Sequence, residues 1–124
     1  MDFKDLKLDQ KSPVYIQIVL YIKQKIILGE VVDGSPLPSR REMAMLLDIN
    51  PNTVQKAFKL MEEEGFIITK PNQGSVIQLN QELKRRITTE LTEDMIKNFI
   101  ASAKAIQLDL SQTHHLLNQF WGES

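Results

Sequence analysis

The stretch that most constrains this chain is SRREMAMLLDINPNTVQKAFKLMEEEGF, Ser39 to Phe66, because it encodes two helix starts with one short turn between them. Ser39 and Glu42 have the S-x-x-E spacing of a capping box, in which each side chain takes up the other's free backbone N–H. Pro36 and Pro38 exclude a helix before that point. Asp48-Ile49-Asn50 ends the first helix, Asn50 caps the next and Pro51 suits its first position. Gly65 stands where a helix-ending glycine is expected. Two helices joined by a turn of about three or four residues have helix-turn-helix geometry.

The flanks extend this unit. Ser12-Pro13 reads as an N-cap followed by a first helical position. The run VYIQIVLYIKQKIILGE after it carries Ile16, Val19, Leu20, Lys23 and Ile27 at helical spacing. Its β-branched residues suit a strand, but its length decides for a helix ending at Gly29. Residues 30–38 read as an extended connector. Beyond the third helix, residues 66–69 and 75–79 are strand-like runs, and Lys70 to Gly74 hold the turn formers Pro71, Asn72 and Gly74, so a hairpin is expected. Three helices followed by a hairpin make a winged helix-turn-helix over residues 12–79, preceded by an arm at 1–11.

Residues 80–124 form a different piece. Leu83, Ile87, Leu91, Met95, Phe99 and Ala103 recur every four residues, a helical stripe from about Gln81 to Lys104. Asp109 with Gln112 repeats the capping-box spacing and opens a last helix carrying Leu110, Leu116, Leu117, Phe120 and Trp121. Two helices cannot bury such a stripe alone. They need the first domain or a second copy of themselves, so Leu83, Ile87, Leu91, Met95, Phe99, Leu117, Phe120 and Trp121 are the candidate dimer interface. The expected fold is thus mainly α with a small β-hairpin, a winged helix-turn-helix followed by a short two-helix dimerisation tail.

Composition narrows the function. Hydrophobic residues make up 42% of the 124, enough for a core, and the formal net charge is −1, so nucleic-acid binding requires a local basic patch. The absence of cysteine excludes a disulfide scaffold and a zinc-finger framework. No apolar run approaches the ~20 residues that span a bilayer, and MDFKDLKLDQ lacks a signal-peptide core, so a cytoplasmic protein with no membrane partner is expected. No glycine-rich phosphate loop, G-x-S-x-G or H-E-x-x-H occurs, and no enzyme or cofactor is expected. His114 and His115 are adjacent and do not share a helix face, which argues against a metal site.

The third helix raises the functional question. It carries Asn52, Thr53, Gln55, Lys56 and Lys59 near its start and Glu62, Glu63 and Glu64 at its end, the wrong end for the dipole. Val54, Ala57 and Met61 form its packed face, leaving Gln55, Lys56 and Lys59 on others. Asn and Gln can bond the major-groove edge of adenine, Lys reaches guanine or phosphate, and the Thr methyl meets a thymine methyl. The first turn offers free N–H groups to phosphate. A solvated polar face on a surface helix is the competing reading. The basic start of the second helix, the turn and the hairpin favour DNA. Ser39, Arg40 and Arg41 become candidate phosphate contacts, and Lys70, Gln73 and Gly74 candidate wing contacts. Lys84-Arg85-Arg86 reads as a solvated face.

The segment PLPSRREMAMLLDINPNTVQKAFKLMEEEGFIITKPNQGSVI resembles the DNA-binding domain of the GntR family of bacterial transcription regulators. Leu37-Pro38-Ser39, Arg41-Glu42, Asn52-Thr53-Val54, Glu64-Gly65 and Gly74 match that family's pattern in order. The short tail resembles the YtrA subfamily, which lacks the large effector domains of other members. The resemblance implies that Arg41, the Asn50 to Thr53 helix start and Gly74 contact DNA. Pro51 and Gln55 stand where arginines are common, which points away from a guanine-rich half-site. Arg40 stands where an acidic residue is usual, adding a candidate phosphate contact. The expectation is a homodimeric, sequence-specific repressor on double-stranded DNA with an inverted-repeat operator. The subfamily resemblance further implies control of ATP-binding-cassette transporter genes, and an unknown small-molecule effector at the dimer interface is compatible with it. A winged-helix protein-interaction adaptor that binds no DNA is the alternative.

Overall fold

A computed structural model of the chain describes Met1 and residues 3–123. Five helices and one hairpin follow in the order α1 (Val14–Ile27), α2 (Arg40–Leu47), α3 (Pro51–Glu63), β1 (Ile67–Lys70), β2 (Gly74–Ile77), α4 (Gln81–Ala105) and α5 (Leu110–Trp121). The chain divides into two compact units, one reaching to Thr88 and one beginning at Thr89.

In the first unit α3 is the hub, packing on α1, α2 and β1. Its buried residues Val54, Ala57, Phe58 and Met61 lie against Ile18, Ile22 and Ile26 of α1, Met43 of α2, and Phe66 and Ile77 around the hairpin. The caps form as the local sequence dictates. Ser39 Oγ accepts from the Glu42 N–H at 3.1 Å while the Ser39 N–H donates to the Glu42 carboxylate. Asn50 Oδ1 accepts from the Asn52 N–H at 2.8 Å, and Pro51 takes the first helical position. Asp48, in the left-handed region at φ 52°, ends α2, and Gly65 at φ 87° follows α3.

The start of α1 departs from the sequence reading. Pro13, with ψ 137°, is the N-cap itself, and no side chain caps the helix. Gln17 ties down the incoming chain instead: its amide donates to the carbonyls of Ser12 and Asp9 and accepts from the Asp9 N–H. The buried face of α1 also differs. Ile18, Val19, Ile22 and Ile26 are inside, Leu20 is 37% exposed, and Ile16 and Ile27 are half-buried. So many positions in that run are apolar that spacing alone could not select the inner stripe.

The N-terminal residues pack on α1, with the Phe3 ring 5.4 Å from that of Tyr21. Lys25 bridges Glu30 at 2.8 Å and Asp5 at 3.1 Å, and the hydrogen bonds it donates to Glu30 and Asp5 hold its ammonium above the ordinary lysine range. The connector is more ordered than its turn residues suggest. Gly34 and Leu37 donate to the carbonyls of Ile77 and Ser75, and Ile77 donates to that of Ser35, so the connector runs along the outer edge of β2. β2 is therefore bonded along both of its edges.

The first turns of α4 belong to this unit. Ile87 is 2% exposed in its core and Leu83 is half-buried beside it. Both were candidates for a dimer face, but Ile87 spends its apolar surface in this core and Leu83 spends part of its own. In the second unit Asp109 and Gln112 form the expected capping box at the start of α5. No described residue from Thr89 onward is buried.

Candidate nucleic-acid interface

Two helix starts and one hairpin turn carry the candidate polar side chains. At the head of α3, Asn50, Pro51, Asn52, Gln55, Lys56 and Lys59 are exposed, and Thr53 is half-buried. The inward residues Val54, Ala57 and Phe58 are 0% exposed. Burying them fixes the rotation of the helix and turns Gln55, Lys56 and Lys59 outward. The Asn50 carbonyl oxygen is spent on the cap, so only its amide N–H groups remain to donate. Ser39 is likewise committed as an acceptor to Glu42, leaving its hydroxyl proton. Arg41 is exposed in the first turn of α2.

The wing tip spans Lys70 to Gly74, all exposed. Lys70 pairs with Gly74 in the last rung of the hairpin, and the Gln73 N–H closes the turn on the Lys70 carbonyl at 3.1 Å. Asn72 at φ 63° and Gly74 at φ 74° supply the left-handed residues that so tight a turn requires. Among the described residues, Arg41, Lys56, Lys59 and Lys70 have no acidic partner.

Arg40 stands apart from this group. Its guanidinium lies 4.5 Å from the Phe58 ring centroid and donates to Glu62 Oε1 at 2.9 Å. The sequence offered it as a phosphate contact, but the structure commits it to an intramolecular pair. The same pair answers the question raised by the acidic end of α3. Glu62 holds Arg40, and Glu64 holds Lys23 at 2.7 Å. The Glu64 carbonyl, one of the helix's unpaired C-terminal acceptors, takes a hydrogen bond from Arg86 at 2.6 Å. Two of the three acids are thus neutralised within the fold. Sequence reasoning missed Glu62, Glu64 and Arg86 as partners, because each pair joins residues far apart in the chain.

The pattern described as "Bacterial regulatory proteins, gntR family" matches residues 14–77, just over half of the chain. The chain belongs to the GntR family. It is 32% identical over 84% of its length to the uncharacterized HTH-type transcriptional regulator YhcF of Bacillus subtilis, covering 86% of that protein. It is 31% identical over 92% of its length to the HTH-type transcriptional repressor YtrA of the same organism, covering 90% of it. Among solved structures, a GntR family transcriptional regulator from Listeria monocytogenes superposes with a TM-score of 0.79 at 27% identity, over 90% of this chain and 98% of that one. Membership makes this GntR protein a DNA-binding transcription regulator and not an enzyme. It is YtrA-like in extent as well as in sequence, since the similarity runs through the tail. Among the described residues, no helix is long and apolar enough to cross a membrane.

Proposed function

We propose that this GntR protein works in the cytoplasm as a homodimeric repressor on an inverted-repeat operator. The observation that carries the dimer is the second unit. It buries no described residue, yet it exposes Met95, Ile96, Phe99, Ile100, Leu116, Leu117, Phe120 and Trp121. A contiguous apolar surface of that kind marks an interaction site. With Ile87 consumed by the first unit and Leu83 partly so, the shared face runs from Leu91 through Met95 and Phe99 to Leu117, Phe120 and Trp121. An apolar groove of about 350 Å³, lined by Phe99, Leu108, Leu116, Leu117, Phe120 and Trp121, lies within this unit. The second copy is its favoured occupant, and a small apolar effector would compete for the same surface.

On DNA, the two α3 helices enter successive major grooves roughly 34 Å apart. Asn52 and Gln55 meet base edges, Thr53 offers its methyl group, Lys56 reaches a base edge and the adjoining phosphate, and Arg41 and Lys59 meet phosphates, with the Ser39 hydroxyl and Asn50 amide beside them. Lys70, Gln73 and Gly74 bring the wing to the flanking minor groove. Control of ATP-binding-cassette transporter genes is the role that likeness to the YtrA subfamily supports.

Sedimentation and selection test this reading together. The protein is expected to sediment as a dimer and to recover, from a pool of random duplexes, an inverted repeat with half-site centres about 10 base pairs apart or a multiple of that. Phe120→Ala with Trp121→Ala is expected to yield monomers that bind the selected duplex more weakly. A monomer that binds single half-sites as tightly as the full repeat contradicts the proposal.

A further inference from the structure

The Arg40–Glu62 pair does not end at Glu62. The same Glu62 oxygen accepts from the Thr69 hydroxyl at 3.1 Å, and Thr69 Oγ1 lies 2.7 Å from Ser75 Oγ. Thr69 and Ser75 face each other across the hairpin, one rung below the Lys70–Gly74 pair that carries the wing tip. Ser75 is 4% exposed, so the far end of this chain of bonds is shielded from water. Four side chains thus join the start of α2, the end of α3 and both strands of the wing.

Arg40 is held in this position at a cost. Its Nε is buried and, among the described residues, has no hydrogen-bond partner. A desolvated donor left unmade is unfavourable. What offsets it is the stack on Phe58, whose ring is 0% exposed, together with the charge-assisted bond to Glu62. A lysine would not provide the planar stack. A hairpin with four residues in each strand is marginal by itself, and the angle at which it leaves the core depends on what anchors its base.

We propose that Arg40 and Glu62 are positioning residues for DNA binding: with Thr69 they clasp the wing to the recognition helix, so that the wing tip and the head of α3 meet DNA as one rigid unit. Arg40 therefore touches no phosphate. The proposal rests on the reading above that the wing contacts DNA. Its advantage is preorganisation, because a wing already fixed loses less freedom on binding.

The sign of one substitution separates the clasp from simple electrostatics. Glu62→Ala removes a negative charge from a protein that binds a polyanion, and it leaves a good helix former in place. If Glu62 acts only through its charge, affinity for DNA rises or stays level. The clasp predicts a loss of roughly threefold to fivefold, measured by fluorescence anisotropy with the duplex selected from the random pool. Glu62→Gln, which keeps an acceptor for Thr69, is expected to recover part of that loss.

Two further readouts complete the test. Arg40→Met is expected to leave the slope of log Kd against log salt unchanged, whereas the loss of a phosphate contact would lower it by about 0.9 per protomer. Lys70→Ala is expected to cost less in the Glu62→Ala background than in the unaltered protein, because a loosened wing no longer delivers its tip. Tighter or equal binding by Glu62→Ala, a lowered slope for Arg40→Met, or strict additivity with Lys70→Ala each overturns the clasp. If Lys70→Ala and Gln73→Ala both bind DNA as tightly as the unaltered protein, the wing reading fails first and the clasp fails with it.

Discussion

Binding of the dimer to duplex DNA is expected to weaken about 10⁴-fold between about 50 and 200 mM salt. The estimate starts from four cations of the candidate interface, Arg41, Lys56, Lys59 and Lys70, which among the described residues have no acidic partner. Two protomers present eight. At about 0.9 released counterions per neutralised phosphate, the slope of log affinity against log salt is about −7. A slope of that size is compatible with a formal net charge of only −1, because Glu62 and Glu64 at the far end of α3 are paired within the fold. Bulk charge therefore underestimates the interaction, and the local patch decides it. Anisotropy titrations at four or five salt concentrations measure the slope. A value near zero would mean that the patch does not meet the phosphate backbone, as the adaptor reading requires.

The second large effect concerns stability. Phe58→Ala is expected to destabilise the first unit by about 3–5 kcal/mol and to lower Tm by roughly 15 °C or more. Phe58 is among the largest fully buried side chains, at 0% exposure, and sits on the helix that packs against α1, α2 and β1. Its removal leaves a cavity at the centre of the fold and also takes away the surface on which Arg40 stacks. Domains of this size have a total stability of about 5–15 kcal/mol, so the variant would be close to unfolding at growth temperature. Thermal melts followed by circular dichroism check this. A drop of less than roughly 4 °C would show that α3 is not the centre of the core.

What the sequence disclosed follows the range of the interactions involved. Helix starts at Ser39, Asn50 and Asp109 were legible because a cap is decided within four residues, and each is found where its residues predict. The inner face of α3 was legible because Val54, Ala57 and Met61 alternate with polar residues. The inner face of α1 was not, because Ile16, Ile18, Val19, Leu20 and Ile22 leave little contrast between its sides. The Ser12-Pro13 pair misled for a related reason: proline's fixed φ suits the cap position as well as the first turn, and Gln17 took over the task of holding the incoming chain.

Interactions that join distant residues were invisible. The connector's bonds to β2 lie along a strand edge that no local pattern reports. Arg40 and Glu62 are separated by 22 residues, and Lys23 and Glu64 by 41. Sequence alone therefore showed Arg40 as a surface cation and Glu62 as an acid on the wrong end of a helix. Together they explain each other. Ile87 was misassigned because a residue every four positions along α4 looks the same whether it meets its own core or another chain. The first unit ends at Thr88, one residue beyond Ile87.

The outward tip of α3 is the centre of this account, and Gln55→Ala tests it most directly. Affinity would be measured on a panel of duplexes in which each base pair of the selected half-site is changed in turn. The account predicts that the variant loses discrimination at one position of each half-site, by about 1–3 kcal/mol, and keeps it elsewhere. Equal weakening across the whole panel would show that Gln55 reads no base, and an unchanged panel would show that this helix face never reaches the groove.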